Sequence, residues 1–276
     1  MKTIYHFSGA GNDFVVIDGR EGDVSAFREV PHIEELCKEY KTDGLMILGK
    51  GDASVDFVME FYNPDGSGGM MCGNGGRCIV AFADYLGIKP AVVERTAEGV
   101  TAAPGVFLFR APDGLHTGKI LARPEDSLWE VRIKMIDVHG ITPMMGGYFL
   151  NTGTRHFVKF VPDVEQVDVD AEGKALRWDP AFAPIGTNVN FVHVAPDGLH
   201  VRTFEKGVEG ETLACGTGLT ASAIAAYAAD VIPSEAKESV RLRARQDWLS
   251  VDFTSGADEK FTDVYLTGPA RLVEIH

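Results

Sequence analysis

Two cysteines, Cys72 and Cys215, stand 143 residues apart in a chain of 276, and each opens the same kind of run. One run reads Cys72-Gly-Asn-Gly-Gly-Arg-Cys-Ile-Val-Ala-Phe-Ala-Asp-Tyr85, the other Cys215-Gly-Thr-Gly-Leu-Thr-Ala-Ser-Ala-Ile-Ala-Ala-Tyr227. Both continue as a helix apolar on nearly every side. The N–H groups at a helix start have no intrahelical partner and carry the positive end of the dipole. Small residues after the cysteine let a ligand approach those groups closely, and the same field favours a thiolate. Each segment alone therefore offers an anion nest and an activated thiol. Two of them facing each other across a domain interface would hold one carboxylate, with a thiol on either side. That arrangement suits inversion of a stereocentre, which needs a base on one face of a carbon and an acid on the other, able to exchange roles. Thiol and thiolate are both accessible near neutral pH, and the N–H donors would stabilise carbanion character on the carboxylate. The other two cysteines, Cys37 and Cys78, read as small buried hydrophobes.

A helix apolar all round must be buried all round, and these two are too short to span a bilayer. The economical solution is a sheet wrapped around each helix, twice in the chain. Alternating or β-branched-rich runs supply the strands, at 3–7, 14–18, 44–48, 55–62, 105–110, 129–135, 147–151 and 156–161. Others follow at 188–194, 199–204, 240–244, 249–253 and 263–266, with Gly, Pro, Asp and Asn between them. A third helix is predicted over 31–40, with Pro31 in its first turn and Ile33, Leu36, Cys37 and Tyr40 on one face. The fold class expected is α+β: two pseudo-symmetric domains, each a β-sheet rolled around a central buried helix. The expected domains are 1–115 plus 264–276, holding Cys72, and 116–263, holding Cys215, with the junction at the 114–119 turn region.

The 26 Lys and Arg against 40 Asp and Glu give a formal charge of −14, which argues against nucleic acid and anionic membrane as partners. No apolar run reaches the roughly 18 residues of a membrane span, and the first seven residues alternate like a strand, without a signal-peptide core. Four cysteines in a chain this long make no disulfide scaffold, so a reducing cytoplasm is the expected setting.

Several segments, taken together, resemble the diaminopimelate epimerase family: Gly9-Ala-Gly-Asn-Asp-Phe14, Asn63-Pro-Asp-Gly-Ser67, Met71-Cys-Gly-Asn-Gly-Gly-Arg-Cys78, Gly186-Thr-Asn-Val-Asn-Phe191, Glu211-Thr-Leu-Ala-Cys-Gly-Thr-Gly218 and Gly268-Pro-Ala270. The resemblance implies a racemase or epimerase of the family's two-domain fold, with neither pyridoxal phosphate nor metal. It implies an amino-acid substrate, with LL- and meso-diaminopimelate as the interconverted pair on the route to lysine and peptidoglycan. Cys72 and Cys215 match the acid/base thiols, and Gly73, Asn74, Gly216 and Thr217 match the donors for the reacting carboxylate. Asn12, Asn63 and Asn188 fall where the family holds other polar parts of the substrate. Glu205 matches the carboxylate that receives the distal ammonium, and His156 a histidine that tunes the cysteine pair. Read without the family, Asn12 and Asn63 are equally turn residues, and His156 a hydrogen-bonded core or surface residue.

The chain departs from the family at the distal end of the site. The usual Glu-Arg pair is here Glu205-Lys206, and an ammonium does not reproduce the fork of a guanidinium. The usual Gly-Asn-Pro-His is here Gly153-Thr-Arg-His156, which puts Thr154 in a substrate-contact position with Arg155 beside it. Two accounts stand open: Arg155 takes over the distal carboxylate, or the pocket serves another amino acid and the chain is a racemase of that substrate. Ser8 replaces a usual histidine. Glu274 stands where the family often has an aromatic residue at the contact of its homodimer.

Overall fold

The computed structural model describes residues 2–69, 71–232 and 239–276. Its described α-helices are α1 (Val30–Tyr40), α2 (Gly73–Tyr85), α3 (Val169–Arg177) and α4 (Gly216–Ala228). The first, second and fourth match the sequence expectation; α1 carries Pro at its start and buries Ile33, Leu36 and Cys37. Helix α3 was not expected, because its charged face dilutes the apolar period. Its ends are nonetheless well marked. Asp168 caps it by accepting from the Ala171 N–H at 3.0 Å, with Asp170 and Glu172 in the first turn and Lys174 and Arg177 in the last.

The chain separates into two units, Met1–Ile133 with Gly268–His276, and Lys134–Thr267. In the first, Ile4–Gly9 pairs with Asn12–Asp18, which runs parallel to Gly44–Lys50 after the α1 crossover. Gly44–Lys50 pairs with Phe57–Tyr62, which lies parallel to Phe107–Ala111 after the α2 crossover. The ladder continues through Gly114–Glu125 and Leu128–Lys134 to the end of Lys260–Ile275, which returns to Ile4–Gly9 and closes the sheet. Side chains alternate across this sheet. Val15, Ile17, Leu45 and Ile47 form a core with Ile33 and Leu36 of α1 on one face. On the other, Met46 and Met59 approach Gly75 of α2. Burial of Ile79, Val80 and Phe82 inside the rolled sheet is complete and stabilises by about 1.5–3 kcal/mol per side chain.

The second unit repeats the same order of connections. Gly147–Asn151 pairs with Arg155–Phe160, which runs parallel to Asn188–Ala195 after α3. Asn188–Ala195 pairs with Gly198–Glu205, which lies parallel to Ser239–Arg243 after α4. Trp248–Ser255, Lys260–Ile275 and Val138–His139 complete the roll. Phe157, Val189, Phe191 and Phe204 pack with Val169 of α3 and Phe182 on one face. The intervening residues His156, Asn190 and Thr203 are buried on the α4 side. In α4 itself, Thr220 and Ser222 donate to the carbonyls of Gly216 and Gly218 at 3.0 and 2.8 Å, so their hydroxyls are satisfied inside the core.

The division falls later than the 115/116 junction read from the sequence. Residues 114–119 lie inside an antiparallel hairpin, with Ala111 opposite Gly114 and Phe107 opposite Gly118, so the turn there joins two strands of one sheet. Likewise the chain re-enters the first unit at Gly268, not 264, because the Lys260–Ile275 strand still pairs with Trp248–Ser255 up to Thr267. Among the described residues, no helix is long and apolar enough to cross a membrane.

Candidate active site

Cys72 is the N-cap of α2. Its backbone is extended (φ −103°, ψ 154°), and its Sγ accepts from the Gly75 N–H at 3.2 Å. Sulfur thus takes the capping role usually given to an oxygen. Gly75 leaves the room for it, since a Cβ there would lie 3.3 Å from Sγ and 3.4 Å from Met46 Sδ. Cys72 is exposed, whereas Cys78 is fully buried and its thiol is pushed far up by desolvation, so it stays neutral core. Burial also raises the Cys37 thiol.

Beside the cap, a fully buried guanidinium organises the helix start. Arg77 donates to the carbonyls of Gly73 and Pro269 at 3.2 and 3.3 Å and to Asn74 Oδ1 at 2.9 Å. Guanidinium only donates, so the Asn74 amide must turn its oxygen to Arg77. Its nitrogen then donates to Asn12 Oδ1. This chain couples Asn12, at the start of its strand, to the first turn of α2.

In the second unit Cys215 is the N-cap of α4 (φ −118°, ψ 108°), and it is 7% exposed. Its Sγ lies 3.4 Å from Thr217 Oγ1. That hydroxyl lies 3.0 Å from His156 Nε2, and Thr154 Oγ1 lies 2.9 Å from the same nitrogen. His156 is fully buried, and desolvation pushes its pKa down to about 3. The imidazole is therefore neutral at neutral pH. Asn190 Nδ2 sits 3.0 Å from His156 Nδ1 and donates to the Phe157 carbonyl at 3.3 Å, while its Oδ1 accepts from Thr203 Oγ1 at 3.0 Å. Asn190 and Thr203 are direct partners in their ladder. Gly218 of α4 makes space for the amide: a Cβ there would fall 2.3 Å from Asn190 Oδ1.

Asn188, buried, draws two loops together. Its Nδ2 donates to the Arg155 carbonyl at 2.8 Å and Thr154 Oγ1 at 3.3 Å, and its Oδ1 accepts from the Lys206 N–H at 2.7 Å. The Arg155 guanidinium lies 5.1 Å over the Phe149 ring and donates to the Phe182 carbonyl at 3.2 Å. Glu205 is half-buried at the end of its strand and Lys206 is exposed. Arg177, buried, donates to the Ile185 carbonyl and to Glu209, each at 3.2 Å, and so fastens the loops flanking both.

The sequence model of the family described as diaminopimelate epimerase matches residues 4–103 and 148–273. The diaminopimelate epimerase of Flavobacterium psychrophilum is 36% identical over 98% of this chain and 97% of its own. The chain belongs to the diaminopimelate epimerase family. The diaminopimelate epimerase of Chlorobaculum tepidum is 37% identical over 96% of this chain and 97% of its own. Among solved structures, a phenazine biosynthesis protein of the PhzF family from Bacillus anthracis superposes with a TM-score of 0.72. It covers 100% of this chain and 98% of its own at 10% identity, which is a likeness of fold.

For this member of the diaminopimelate epimerase family, the structure gathers the sequence-derived residues into two networks, one per unit. Cys72, Gly73, Asn74 and Asn12 meet at the start of α2. Cys215, Gly216, Thr217, Thr154 and His156 meet at the start of α4, and Asn188 ties Arg155 and Lys206 to them through their backbone. Asn63 instead closes its own turn, donating to Ser67 Oγ at 2.9 Å. Sequence reasoning passed over Arg77, Asn190 and Thr203. A signal for Asn190 existed: in Asn188-Val-Asn190 strand alternation puts both amides on one face, and the neighbouring positions are apolar.

Proposed function

We propose that the chain interconverts LL- and meso-diaminopimelate by moving the α-proton between Cys72 and Cys215. The observation that supports this reading most is that each buried helix begins at a cysteine N-cap followed by small residues. In each direction one cysteine acts as thiolate. The Cα–H bond breaks, an S–H bond forms, and the electron pair remains on the carbon and its carboxylate. The other thiol gives its proton to the opposite face of the same carbon. First-turn N–H groups at Gly73, Asn74, Gly216 and Thr217 stabilise the charge that develops on the carboxylate. Glu205 receives the distal ammonium, Thr154, Arg155 and Lys206 line the distal end, and Asn12, Asn63 and Asn188 hold other polar parts of the substrate. The roles of Glu205, Asn12, Asn63 and Asn188 are carried over from the motif matches; those of Thr154, Arg155 and Lys206 are given by position, since there the chain departs from the motif.

The reading requires reduced thiols, and a cytoplasmic setting goes with it. It also takes the enzyme to work as a homodimer, with the exposed Val273 and Ile275 beside Glu274 as the candidate face; light scattering on the purified chain tests this. The activity itself is tested by incubating LL-diaminopimelate and a panel of other amino acids in deuterated water. Exchange at the α-carbon of diaminopimelate is the expected result. Exchange with another amino acid and none with diaminopimelate would overturn the substrate assignment.

A further inference from the structure

We propose that Asn190 is a positioning residue that fixes the His156 proton on Nε2, so that His156 acts on Cys215 as a hydrogen-bond donor through Thr217 and not as the base that takes the thiol proton. The inference rests on the reading of Cys215 as an acid/base group. It begins from a carbonyl. The Phe157 oxygen only accepts, so the Asn190 amide must present its nitrogen there, at 3.3 Å. Thr203, donating to Oδ1 from the neighbouring strand at 3.0 Å, holds the same orientation from the other side. The amide nitrogen then also faces His156 Nδ1 at 3.0 Å, and this ring nitrogen must accept. A neutral imidazole carries one proton, which therefore sits on Nε2.

From Nε2 the proton points at two hydroxyls, Thr154 Oγ1 and Thr217 Oγ1, at 2.9 and 3.0 Å. Thr154 accepts from Asn188 at 3.3 Å and can share the Nε2 proton, and its own proton points at Thr217 Oγ1, 3.3 Å away, so that Thr217 is an acceptor from both sides. Thr217, accepting from the imidazole, turns its own proton to Cys215 Sγ, 3.4 Å away. The chain of donation runs Asn190, His156, Thr217, sulfur, with no proton leaving the imidazole. Its effect is to hold the Cys215 thiolate by a donor that is ready before substrate arrives. An aspartate in place of Asn190 would reverse it. A carboxylate accepts from Nδ1–H, Nε2 becomes the acceptor, and Thr217 donates back to the ring instead of to sulfur.

The test uses the full-length chain with 15N-labelled histidine. Long-range 1H–15N spectra at neutral pH report which ring nitrogen is protonated, and His156 is identified by the signal missing from His156→Gln. The wild type is expected to show protonated Nε2 and bare Nδ1. Asn190→Asp is expected to reverse the pair and to lower kcat about tenfold, the worth of one hydrogen bond, with KM little changed. Three results would overturn the proposal: a wild-type His156 protonated on Nδ1 or on both nitrogens, a reversed tautomer with unchanged kcat, or a loss of kcat without a change of tautomer. If Asn190→Asp does not fold, the wild-type spectrum still decides. Absence of α-proton exchange by the wild type would count against the enzyme assignment instead, and is read separately from the spectrum.

Discussion

Cys72 and Cys215 are alike in sequence but not in setting. Cys72 is exposed and bonded to its own helix, whereas Cys215 is buried and approached by a hydroxyl. Alkylation under native conditions should therefore reach Cys72 first among the four cysteines, which peptide mass spectrometry resolves; equal labelling of Cys78 would contradict the burial. Replacing either Cys72 or Cys215 by alanine should lower kcat by about 10²–10⁴-fold, the usual worth of a general acid or base. His156 gives a prediction about stability. Folded, it stays neutral down to about pH 3; unfolded, it takes a proton near its ordinary 6.5. Between those values the unfolded chain binds more protons, so stability falls as pH is lowered. From pH 6.5 to 5 this amounts to about 2 kcal/mol. Urea denaturation at the two pH values measures it, and His156→Gln should flatten the dependence by that amount. An unchanged slope in the variant would show that His156 is not the group responsible.

The two buried helices work because small residues at their starts admit polar groups from the sheet. Gly218→Ala would put a methyl group 2.3 Å from Asn190 Oδ1. It should destabilise by about 1–3 kcal/mol, the range for overpacking, and lower kcat as well. Gly68→Ala, with nothing within 4 Å of the new Cβ, serves as control and should leave both unchanged or slightly raise stability. Much of this element scale was readable beforehand. Both helices are apolar on nearly all sides, which forces enclosure, and α1 shows a one-sided stripe. Helix α3 escaped because tertiary packing of Val169 and Gly173, more than a long apolar stripe, holds it. The Arg77–Asn74–Asn12 chain escaped for a different reason. An arginine inside an apolar helix reads as an outlier until the carbonyls of Gly73 and Pro269 are placed beside it, and Pro269 is remote in sequence.

At the level of the whole molecule, the duplication seen in two cysteine motifs extends to strand order, crossover type and the side each helix packs on. The duplication itself was legible, because each cysteine motif and the helix it opens recur at one offset of 143 residues; the matching crossovers were not, since α3 was not expected. The junction was not, since a tight turn within a sheet and a turn between units use the same Asp-Gly chemistry, and only strand pairing tells them apart. The use made of Arg155 was also beyond the sequence, since its guanidinium is engaged by Phe149 and the Phe182 carbonyl, which no motif announces. The central claim is that two different sulfurs handle the proton, one removing it and the other supplying it. The most direct test follows early turnover of unlabelled LL-diaminopimelate in deuterated water, reading isotope separately in product and in remaining substrate. The account predicts deuterium at the inverted carbon of the meso product while the unreacted LL pool stays unlabelled. Product that retains the original proton, as a single shuttling base would leave it, would contradict the account.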